Sequence, residues 1–514
     1  MENLINSLSL EDFKKEHVFI TAKTKKETTK PWIKNIQETI LVKYSHGIIL
    51  QFDESKYVLT TFHGVKRGFD IKMYQMENIT KNINKYELEL LVYSDEMDLA
   101  LFSIKKYSSV GINLDTFESK FPNRSDKLKL LVYKIIKKKK IIDHNIQLNF
   151  RYLECNNEEV NFVKQCSFNM PLIPILSINL RTIISELDGI SGSCIYDEND
   201  KIVGIVSNIN NKTNLISLIP SILIKRFLKE YIINNRFCGL CDIISELNFC
   251  DINIGTEKFC GYLVKNNYGI NYNKYSHGNK DTIGFNLKKN DIIISVNNIQ
   301  INKDGKLWHE EIQYFVPLST YMALSFFCGD LIQLKLYRSN NNNYEYKEIK
   351  LKNRPVSTAR FIPISLNNKI VEYNGLIFME VSEELINICE VNDIHLSGDL
   401  LFKLINQPFR NNYQNLVVLV DIVESKFDPE ILKEFKKCNL SLINSSFKHP
   451  NLCILSKINK KIVTDIHKTE KILKNSNRSI MYLNFDKKKK MRIVFEDNKL
   501  LDLILLDKTN NFST

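Results

Sequence analysis

Apolar residues cluster or alternate with polar ones in short runs through the first part of the chain, and Asn-rich polar turns separate these runs. Runs of this length and period are typical of β-strands. The pattern predicts strands at 38–50, 57–61, 86–93, 99–104, 128–136, 145–153, 159–166, 172–180, 194–196 and 202–209. Because helical periods are rare among them, the pattern favours a β-barrel or a β-sandwich.

A helix is predicted directly after these strands, over residues 219–235. Its apolar residues recur at steps of three and four, which is the spacing of one helical face. They are Ile222, Leu223, Phe227, Leu228, Tyr231 and Ile232.

A weak internal repeat follows this helix. Residues 290–301 and 453–463 each have the pattern of a strand, a polar turn and a short second strand, and a segment suited to a helix follows each of them. A Gly-led apolar strand is predicted before each unit, at 239–247 and 375–381. The repeat predicts two related modules of about 120–150 residues, joined by a proline-containing segment at 352–365.

Composition places the chain among globular proteins. Its 514 residues exceed what one hydrophobic core usually organises, so about three domains are expected. Hydrophobic residues make up 44% and charged residues 25%, as in soluble proteins. The formal net charge is +12, but the lysines are spread along the chain. Two lysine runs, 137–140 and 487–490, lie between strand-like segments, which favours solvated hairpin ends over nucleic-acid binding or nuclear import.

Neither a signal peptide nor a membrane-spanning segment is visible in the sequence. Residues 1–17 lack a basic start and an uninterrupted apolar stretch. No apolar run approaches the ~18 residues that cross a bilayer. We therefore expect a soluble intracellular protein, cytoplasmic or alternatively nuclear, with no membrane and no nucleic-acid partner.

The eleven cysteines, an odd number, are better explained as reduced thiols than as a disulfide framework. Cys238 and Cys241 form a C-x-x-C pair, and Cys250 and Cys260 follow it. This spacing is loose for zinc and lacks a second pair, so buried core thiols are favoured over a metal site. We expect no metal and no cofactor, and the sequence contains no phosphate-binding P-loop motif.

The stretch DGISGSCIYD, residues 188–197, lies between two apolar runs and places Ser191 beside Gly189 and Gly192. A turn of this kind, taken alone, favours an ordinary sharp bend between buried strands. The rest of the chain has to decide whether Ser191 is a nucleophile.

Two other polar residues at strand ends complete a catalytic set with Ser191. His63 follows the predicted strand YVLTT, and Asp98 begins the apolar segment DLALF. A serine hydroxyl becomes an effective nucleophile when a neutral imidazole accepts its proton, and a carboxylate orients that imidazole. The order His, Asp, Ser is that of the chymotrypsin arrangement. The N–H groups of Gly189 and Ser191 are the predicted donors of an oxyanion hole.

The segments YVLTTFHGV, DLALF and GISGS…KIVGIVS resemble the three motif regions of Do-like (HtrA/Deg) serine proteases of the trypsin-like superfamily. KPWIKNIQ, INKDGKLWHEE…STYMALSFFCGD and NLVVLVDIVES extend the resemblance to the Deg branch of plants and fungi, over residues 18–505. The resemblance implies a mainly β chain, with a trypsin-like double β-barrel protease domain at 18–235. Two PDZ-like α+β domains are implied at 236–353 and 358–505.

The resemblance also implies a function, namely an ATP-independent serine endopeptidase that cleaves unfolded or damaged proteins with the triad His63, Asp98 and Ser191. It implies a homo-oligomer built from trimers, and peptide capture by the PDZ-like domains at sheet edges that begin near Gly239 and Gly375. Two alternatives stay open. The chain is a peptide-binding scaffold or holdase whose protease site is weakened or inactive, or the PDZ-like domains only pack.

The sequence departs from this family around the nucleophile. Ile190 stands where the family has Asn, Ser193 replaces a Gly, and Cys194 replaces a common Pro. Glu186 lies where an apolar wall of the specificity pocket is expected, and Ser207 is a second candidate for that pocket. We expect Glu186 to point to solvent, because an unpaired buried carboxylate is costly. The alternative is a pocket that tolerates polar or basic side chains.

Other residues fit the catalytic roles less well. His46 lies inside a strand where the family has a small residue, so a packing or surface position is expected. Asp95 is not followed by the DLAL pattern. Asp53 and Asp197 lie in evident turns, and Asp188 is expected to stabilise its own turn.

Overall fold

The computed structural model of the chain describes residues 16–25, 40–52, 54–76, 83–104, 111–123, 126–137, 146–163, 172–180, 189–210, 213, 215–243, 245–254, 256–267, 287–340, 343–352, 354–355, 370–382, 385–386, 395–396, 416–423, 451–452, 455–475, 480–485, 489–496 and 499–507. Strands dominate these residues, and two closed barrels stand first in the chain. The predicted mainly β fold with a trypsin-like double barrel is confirmed.

The first barrel has six antiparallel strands. They are β1 (His17–Lys25), β2 (Ile40–Phe52), β3 (Ser55–Thr61), β4 (Asp70–Met76), β5 (Ile83–Ser94) and β6 (Leu99–Ile104). The barrel closes in the order β1-β2-β3-β6-β5-β4. Both faces of β2 are covered, because Ile49 packs inside the barrel whereas Ile48 and Leu50 join an apolar cluster shared with later parts of the chain.

The second barrel repeats this architecture. Its strands are β7 (Lys127–Lys137), β8 (Ile146–Val163), β9 (Ile173–Leu180), β10 (Cys194–Tyr196), β11 (Ile202–Asn210) and β12 (Leu215–Pro220). They close in the order β10-β11-β12-β9-β8-β7. A 3-10 turn at Leu114–Thr116 precedes the barrel. The loop that carries Ser191 lies immediately before β10. The second barrel therefore anchors the C-terminal end of this loop.

The barrel strands correct the sequence prediction in two ways. The strands predicted at 145–153 and 159–166 are one strand, β8, because a bulge between Asn157 and Glu159 accommodates the polar letters that resemble a turn. The pattern also does not predict β1, β4 and β12. Their registers are fixed by pairing with neighbours across the barrel, which local alternation does not reveal.

Two helices flank these barrels. α1 (Phe62–Val65) is a single turn directly after β3, and α2 (Ser221–Asn234) follows β12. α2 matches the predicted helix and ends where Asn235 adopts the left-handed conformation at φ 51°. Its predicted apolar face is buried except for Ile232, which is 42% exposed.

A further module follows α2. Its main sheet contains β14 (Ser245–Ile254), β15 (Glu257–Asn267), β16 (Ile292–Val296), β20 (Leu331–Asn340) and β21 (Asn343–Lys352), in that order, with β17 (Ile299–Gln300) paired to β16. A hairpin of β18 (Lys306–His309) and β19 (Tyr314–Pro317) leads into α3 (Leu318–Ser325). β13 (Cys241–Asp242) pairs with β22 (Arg354–Pro355). The single strand predicted at 239–247 is wrong, since β13 and the start of β14 are the only strands among the described residues of this range.

In the described part of the last module there are three small sheets. They comprise β23 (Val371–Tyr373) with β24 (Leu376–Glu380) and β26 (Val417–Ile422), then β25 (His395–Leu396) with β27 (Asn451–Leu452), and then β28 (Leu455–Ile458), β29 (Lys461–Ile462), β30 (Ile480–Phe485), β31 (Lys489–Glu496) and β32 (Lys499–Asp507). α4 (Ile466–Lys474) begins at Asp465, whose carboxylate accepts from the N–H of Lys468. Here the predicted strand 375–381 and the predicted unit 453–463 match β24 and the pair β28–β29. The domain boundaries themselves stay a prediction.

The module after α2 contacts the barrels close to the predicted catalytic acid. Arg226 of α2 donates to the carbonyl of Phe326 at 2.9 Å. Glu96, two residues before Asp98, accepts the N–H of Leu240 at 2.5 Å. The turn that carries Asp98 is therefore tied to the start of the following module.

Among the helices that the structure describes, none has the length and apolar character needed to cross a membrane.

Candidate active site

The three predicted catalytic residues come from separate elements and meet between the two barrels. His63 is on α1, Asp98 is the last residue of the turn before β6, and Ser191 is in the loop before β10. α1 is brought to this place because the N–H of Phe62 donates to the backbone carbonyl of Asp98 at 3.0 Å. The ends of β3 and β6 are thus held side by side, with His63 and Asp98 facing each other.

Their side chains form one hydrogen-bond chain. Nδ1 of His63 donates to Oδ2 of Asp98 at 2.7 Å. Nε2 of His63 lies 3.0 Å from Oγ of Ser191. With Nδ1 carrying the proton, Nε2 is the free acceptor that a serine nucleophile requires. His63 remains 48% exposed, so the imidazole can exchange protons with a bound substrate.

The Asp98 carboxylate accepts three hydrogen bonds. Oδ1 accepts the backbone N–H of His63 at 2.8 Å, and Oδ2 accepts both the His63 ring and the Ser207 hydroxyl, the latter at 2.9 Å. These donors fix the carboxylate and, through it, the orientation of the imidazole. The Asp98 backbone itself adopts a left-handed conformation, φ 57°, which is uncommon outside glycine.

Ser207 has a place in this network that sequence reasoning missed. Besides its bond to Asp98, its backbone carbonyl lies 3.1 Å from the Ser191 hydroxyl. The single proton of Ser191 can serve His63 Nε2 or this carbonyl, but only one at a time. The only sequence signal for this contact is a polar residue near the end of an apolar strand, β11. Whether Ser207 also acts in a specificity pocket stays a prediction.

The nucleophile loop requires glycine at two positions. Gly192 has φ 88°, and a Cβ placed there would lie 1.9 Å from the carbonyl oxygen of His46. Gly189 has φ 83°, and a Cβ there would lie 2.9 Å from Cβ of Tyr44. The loop is therefore pressed against β2, and its conformation suits glycine at both positions.

His46 is buried, with 2% of its surface exposed, and it contacts this loop. Its Nδ1 lies 2.6 Å from the carbonyl oxygen of Gly189, and its N–H donates to the carbonyl of Ser191 at 2.7 Å. Sequence analysis expected a packing or surface position. The packing position is correct, but the polar contact was not foreseen, because its two partners are 143 residues apart.

Three of the residues that depart from the family pattern, Ile190, Ser193 and Cys194, are buried. Ile190 lies in the apolar core of the second barrel. Ser193 is fully buried, and its Oγ has no hydrogen-bond partner within the described part of the chain. Burial raises the pKa of the Cys194 thiol, which disfavours a thiolate beside Ser191.

Burial also lowers the pKa of His17 to about 3, with His46 as a smaller cause.

A cavity of about 700 Å³ opens beside the triad. Polar and apolar atoms line it about equally, and Asn161, Ser177, Asn208 and Ser217 contribute uncharged polar groups. The remaining lining residues are Phe62, His63, Lys66, Asp95, Asp98, Ile175 and Ser207. Glu186, the other predicted pocket residue, lies outside the described residues.

Asp95 and Asp197, the two described aspartates that were alternatives to Asp98, make other contacts. Asp95 pairs with Lys66 at 3.2 Å. The carboxylate of Asp197 accepts backbone N–H groups of its own turn at 2.8 and 2.9 Å, as its predicted turn position requires. Asp53 and Asp188 lie outside the described residues.

No group of three or more His, Cys, Asp or Glu side chains able to hold a metal is found in the described ranges. Cys241 is buried, and Cys238, Cys250 and Cys260 are partly buried. Burial raises the pKa of Cys241 and of Cys250, which favours their neutral thiol forms.

No family model and no curated protein matches the chain. Among solved structures, it resembles an HtrA-type protease AlgW with a tripeptide, at 14% identity and a TM-score of 0.44, over 66% of this chain and 95% of that one. A serine endoprotease from Yersinia pestis is 14% identical with a TM-score of 0.39, over 68% and 99%. The active form of the Rv3671c protease from M. tuberculosis is 13% identical with a TM-score of 0.29, over 40% and 76%. These values are too low to carry a function from those proteins to this chain, so its own side chains have to support one.

Proposed function

We propose that the chain is a serine endopeptidase of the Do-like type that cleaves unfolded or damaged proteins without ATP. The observation that carries the proposal is the hydrogen-bond chain from Asp98 through His63 to Ser191. Each of its two links is within the range required for proton transfer, 2.7 and 3.0 Å.

The proposed reaction uses each residue in turn. Ser191 Oγ attacks the carbonyl carbon of the scissile peptide while His63 Nε2 takes the hydroxyl proton. Asp98 stabilises the resulting imidazolium, and the N–H groups of Gly189 and Ser191 bind the oxyanion. His63 then protonates the leaving amine, and water, activated by the same imidazole, releases the acyl group from Ser191.

The narrower parts of the proposal follow from the sequence resemblance. They are membership of the Deg branch of plants and fungi, PDZ-like domains at 236–353 and 358–505, and a homo-oligomer. The cavity beside His63, which polar and apolar atoms line about equally, is compatible with an extended polypeptide.

A fluorophosphonate probe tests the proposal directly, because it reacts with an activated serine. We expect the wild-type protein to be labelled at Ser191 and Ser191→Ala to be unlabelled. His63→Ala should react orders of magnitude more slowly. Ser193→Ala is the matched control, since it removes a buried hydroxyl two residues away and should leave labelling intact.

The second candidate, a holdase with an inactive protease site, is favoured by Ile190 and Ser193 beside the nucleophile. A folded wild-type protein that is not labelled, yet suppresses aggregation of an unfolded client equally well with and without Ser191→Ala, would support it and contradict the peptidase.

A further inference from the structure

The nucleophile loop is fixed peptide by peptide, and His46 holds two of its carbonyls. The 190–191 peptide is held because Ser193 N–H donates to the Ile190 carbonyl at 2.9 Å. The 191–192 peptide is held by His46 N–H on the Ser191 carbonyl, and by Gly192 N–H on the Val206 carbonyl, both at 2.7 Å. The 189–190 peptide is held by the His46 side chain, whose Nδ1 is 2.6 Å from the Gly189 carbonyl.

This side-chain contact has a defined proton. The acceptor is a carbonyl, so Nδ1 must carry the hydrogen and act as the donor. The imidazole is buried and its edge meets the ring of Phe19 at 5.8 Å and 85°. A ring held this way keeps its donor aimed at one point.

Neither Gly189 nor Ile190 has a polar side chain that could hold the 189–190 peptide in the place of His46. Ile190, at the centre of the loop, lies in the apolar core of the second barrel. Gly189, the next residue back, has φ 83° and no side chain to restrict it. Release of the Gly189 carbonyl would free rotation about the Cα–C bond of Gly189, and the residue whose N–H is the predicted oxyanion donor would lose this anchor.

We infer that His46 is a positioning residue for the oxyanion hole, and that its Nδ1–H, by holding the Gly189 carbonyl, keeps the Gly189 N–H directed at the oxyanion. The inference rests on the proposed peptidase function for its effect on rate. It predicts that loss of the Nδ1 donor lowers kcat and leaves KM nearly unchanged, because the hole binds charge that develops only in the transition state.

The test compares two substitutions of His46 in the full-length protein. His46→Asn keeps an N–H donor near the position of Nδ1, and His46→Leu keeps the bulk but removes the donor. For a peptide substrate we expect His46→Leu to lose about 10²–10³-fold in kcat, as when one oxyanion donor is removed, with KM within about threefold. His46→Asn should recover to within about tenfold of the wild type.

His17→Gln is the control, because it alters another buried imidazole of the same strand pair, one whose ring bonds the Tyr196 hydroxyl. Its kcat should stay near that of the wild type. Amide hydrogen exchange over residues 189–193 gives a readout that needs no activity. Exchange should be faster in His46→Leu than in the wild type and in His46→Asn.

The outcomes separate the two claims. Unchanged kcat in His46→Leu, equal losses in both His46 variants, or unchanged exchange in the loop would each overturn the positioning role. A wild-type protein that neither cleaves nor labels, but whose loop exchange still rises in His46→Leu, would refute the peptidase and keep the hold of His46 on the loop.

Discussion

At the scale of single residues, Asp98 shows how local strain and local bonding balance at this site. Its left-handed backbone costs roughly 1–2 kcal/mol for a non-glycine residue. Three hydrogen bonds to its carboxylate offset that cost, since each bond to a charged group contributes about 1.5–3 kcal/mol. In this conformation one carboxylate faces both the His63 backbone and its ring.

Glu186 provides a residue-scale prediction about specificity. If its carboxylate points to solvent, as expected, Glu186→Ile leaves the cleavage profile of an unfolded protein unchanged. If it lines the pocket, the wild type prefers Lys or Arg before the cut, by roughly 5- to 150-fold, and the substitution removes that preference. Mass-spectrometric mapping of the cleavage sites distinguishes the two, and a lost basic preference would show our expectation to be wrong.

His17 provides a prediction about pH. Its folded-state pKa of about 3 lies below the ordinary value of 6.5, so the unfolded chain binds the proton more tightly. The neutral ring makes its full contribution to the free energy of unfolding above pH 6.5. This contribution decreases as the pH falls from 6.5 toward 3. Lowering the pH from 6.5 to 5 should therefore reduce the free energy of unfolding by ~1.5 kcal/mol through this group.

The measurement is chemical denaturation at both pH values. His17→Gln keeps a polar group near Tyr196 but does not titrate, so it should lose ~1.5 kcal/mol less than the wild type over this range. Identical pH dependence in the two proteins would contradict the assignment of His17 as the titrating group.

At the scale of elements, α2 combines apolar burial with one buried ion pair. Ile222, Leu223 and Phe227 are buried in an apolar cluster that includes residues of the barrels and of the module after α2. On the same helix, Arg226 pairs with Glu230 at 2.6 Å, with exposures of 3% and 0%. Arg226 also stacks on the ring of Phe327 at 3.9 Å. α2 thus specifies where the next module docks.

Breaking this pair from one side should be more damaging than removing it whole. Glu230→Ala leaves the Arg226 charge buried without its carboxylate, and we expect a loss of about 3–5 kcal/mol in urea unfolding. The double substitution Arg226→Met with Glu230→Leu should lose less than that, because no charge is then buried. A double variant less stable than Glu230→Ala would refute this account.

At the scale of the whole molecule, the barrels and the module after α2 form one packed body. Leu101 of the first barrel, Phe227 of α2 and Leu324 of α3 belong to the same apolar cluster. The hydrogen bond between Glu96 and Leu240 adds a polar contact two residues from Asp98. A displacement of that module would therefore act on the turn that presents Asp98.

Assembly is the prediction at this scale. Ile40 and Leu41, at the start of β2, are 55% and 43% exposed. Neighbouring exposed apolar side chains often mark an interface, in which a second subunit buries them. We expect light scattering to give the mass of a homo-oligomer, and Ile40→Glu with Leu41→Glu to reduce that mass. Phe249→Glu, at a 42% exposed position of another sheet, is the control. A clean monomer of the wild type at micromolar concentration would contradict the prediction.

The sequence by itself determined the mainly β character, most barrel strands, α2 and the three residues that meet in the site. The elements, His63 and Asp98 follow from local signals, namely the apolar period and a polar residue next to the end of a buried strand. Ser191 was selected by its glycine-flanked turn together with the resemblance to Do-like proteases. The PDZ-like domains, the oligomer and the catalytic roles remain predictions.

Only the tertiary structure decided which distant residues support the triad. Ser207 reaches Asp98 across 109 residues, and His46 reaches Gly189 across 143. Barrel closure and strand register create both contacts, and a shift of one residue in β2 or β11 would turn these side chains to the opposite face. The sequence predicted two strands where the structure has the single strand β8. A bulge lets this strand continue through polar residues that locally resemble a turn.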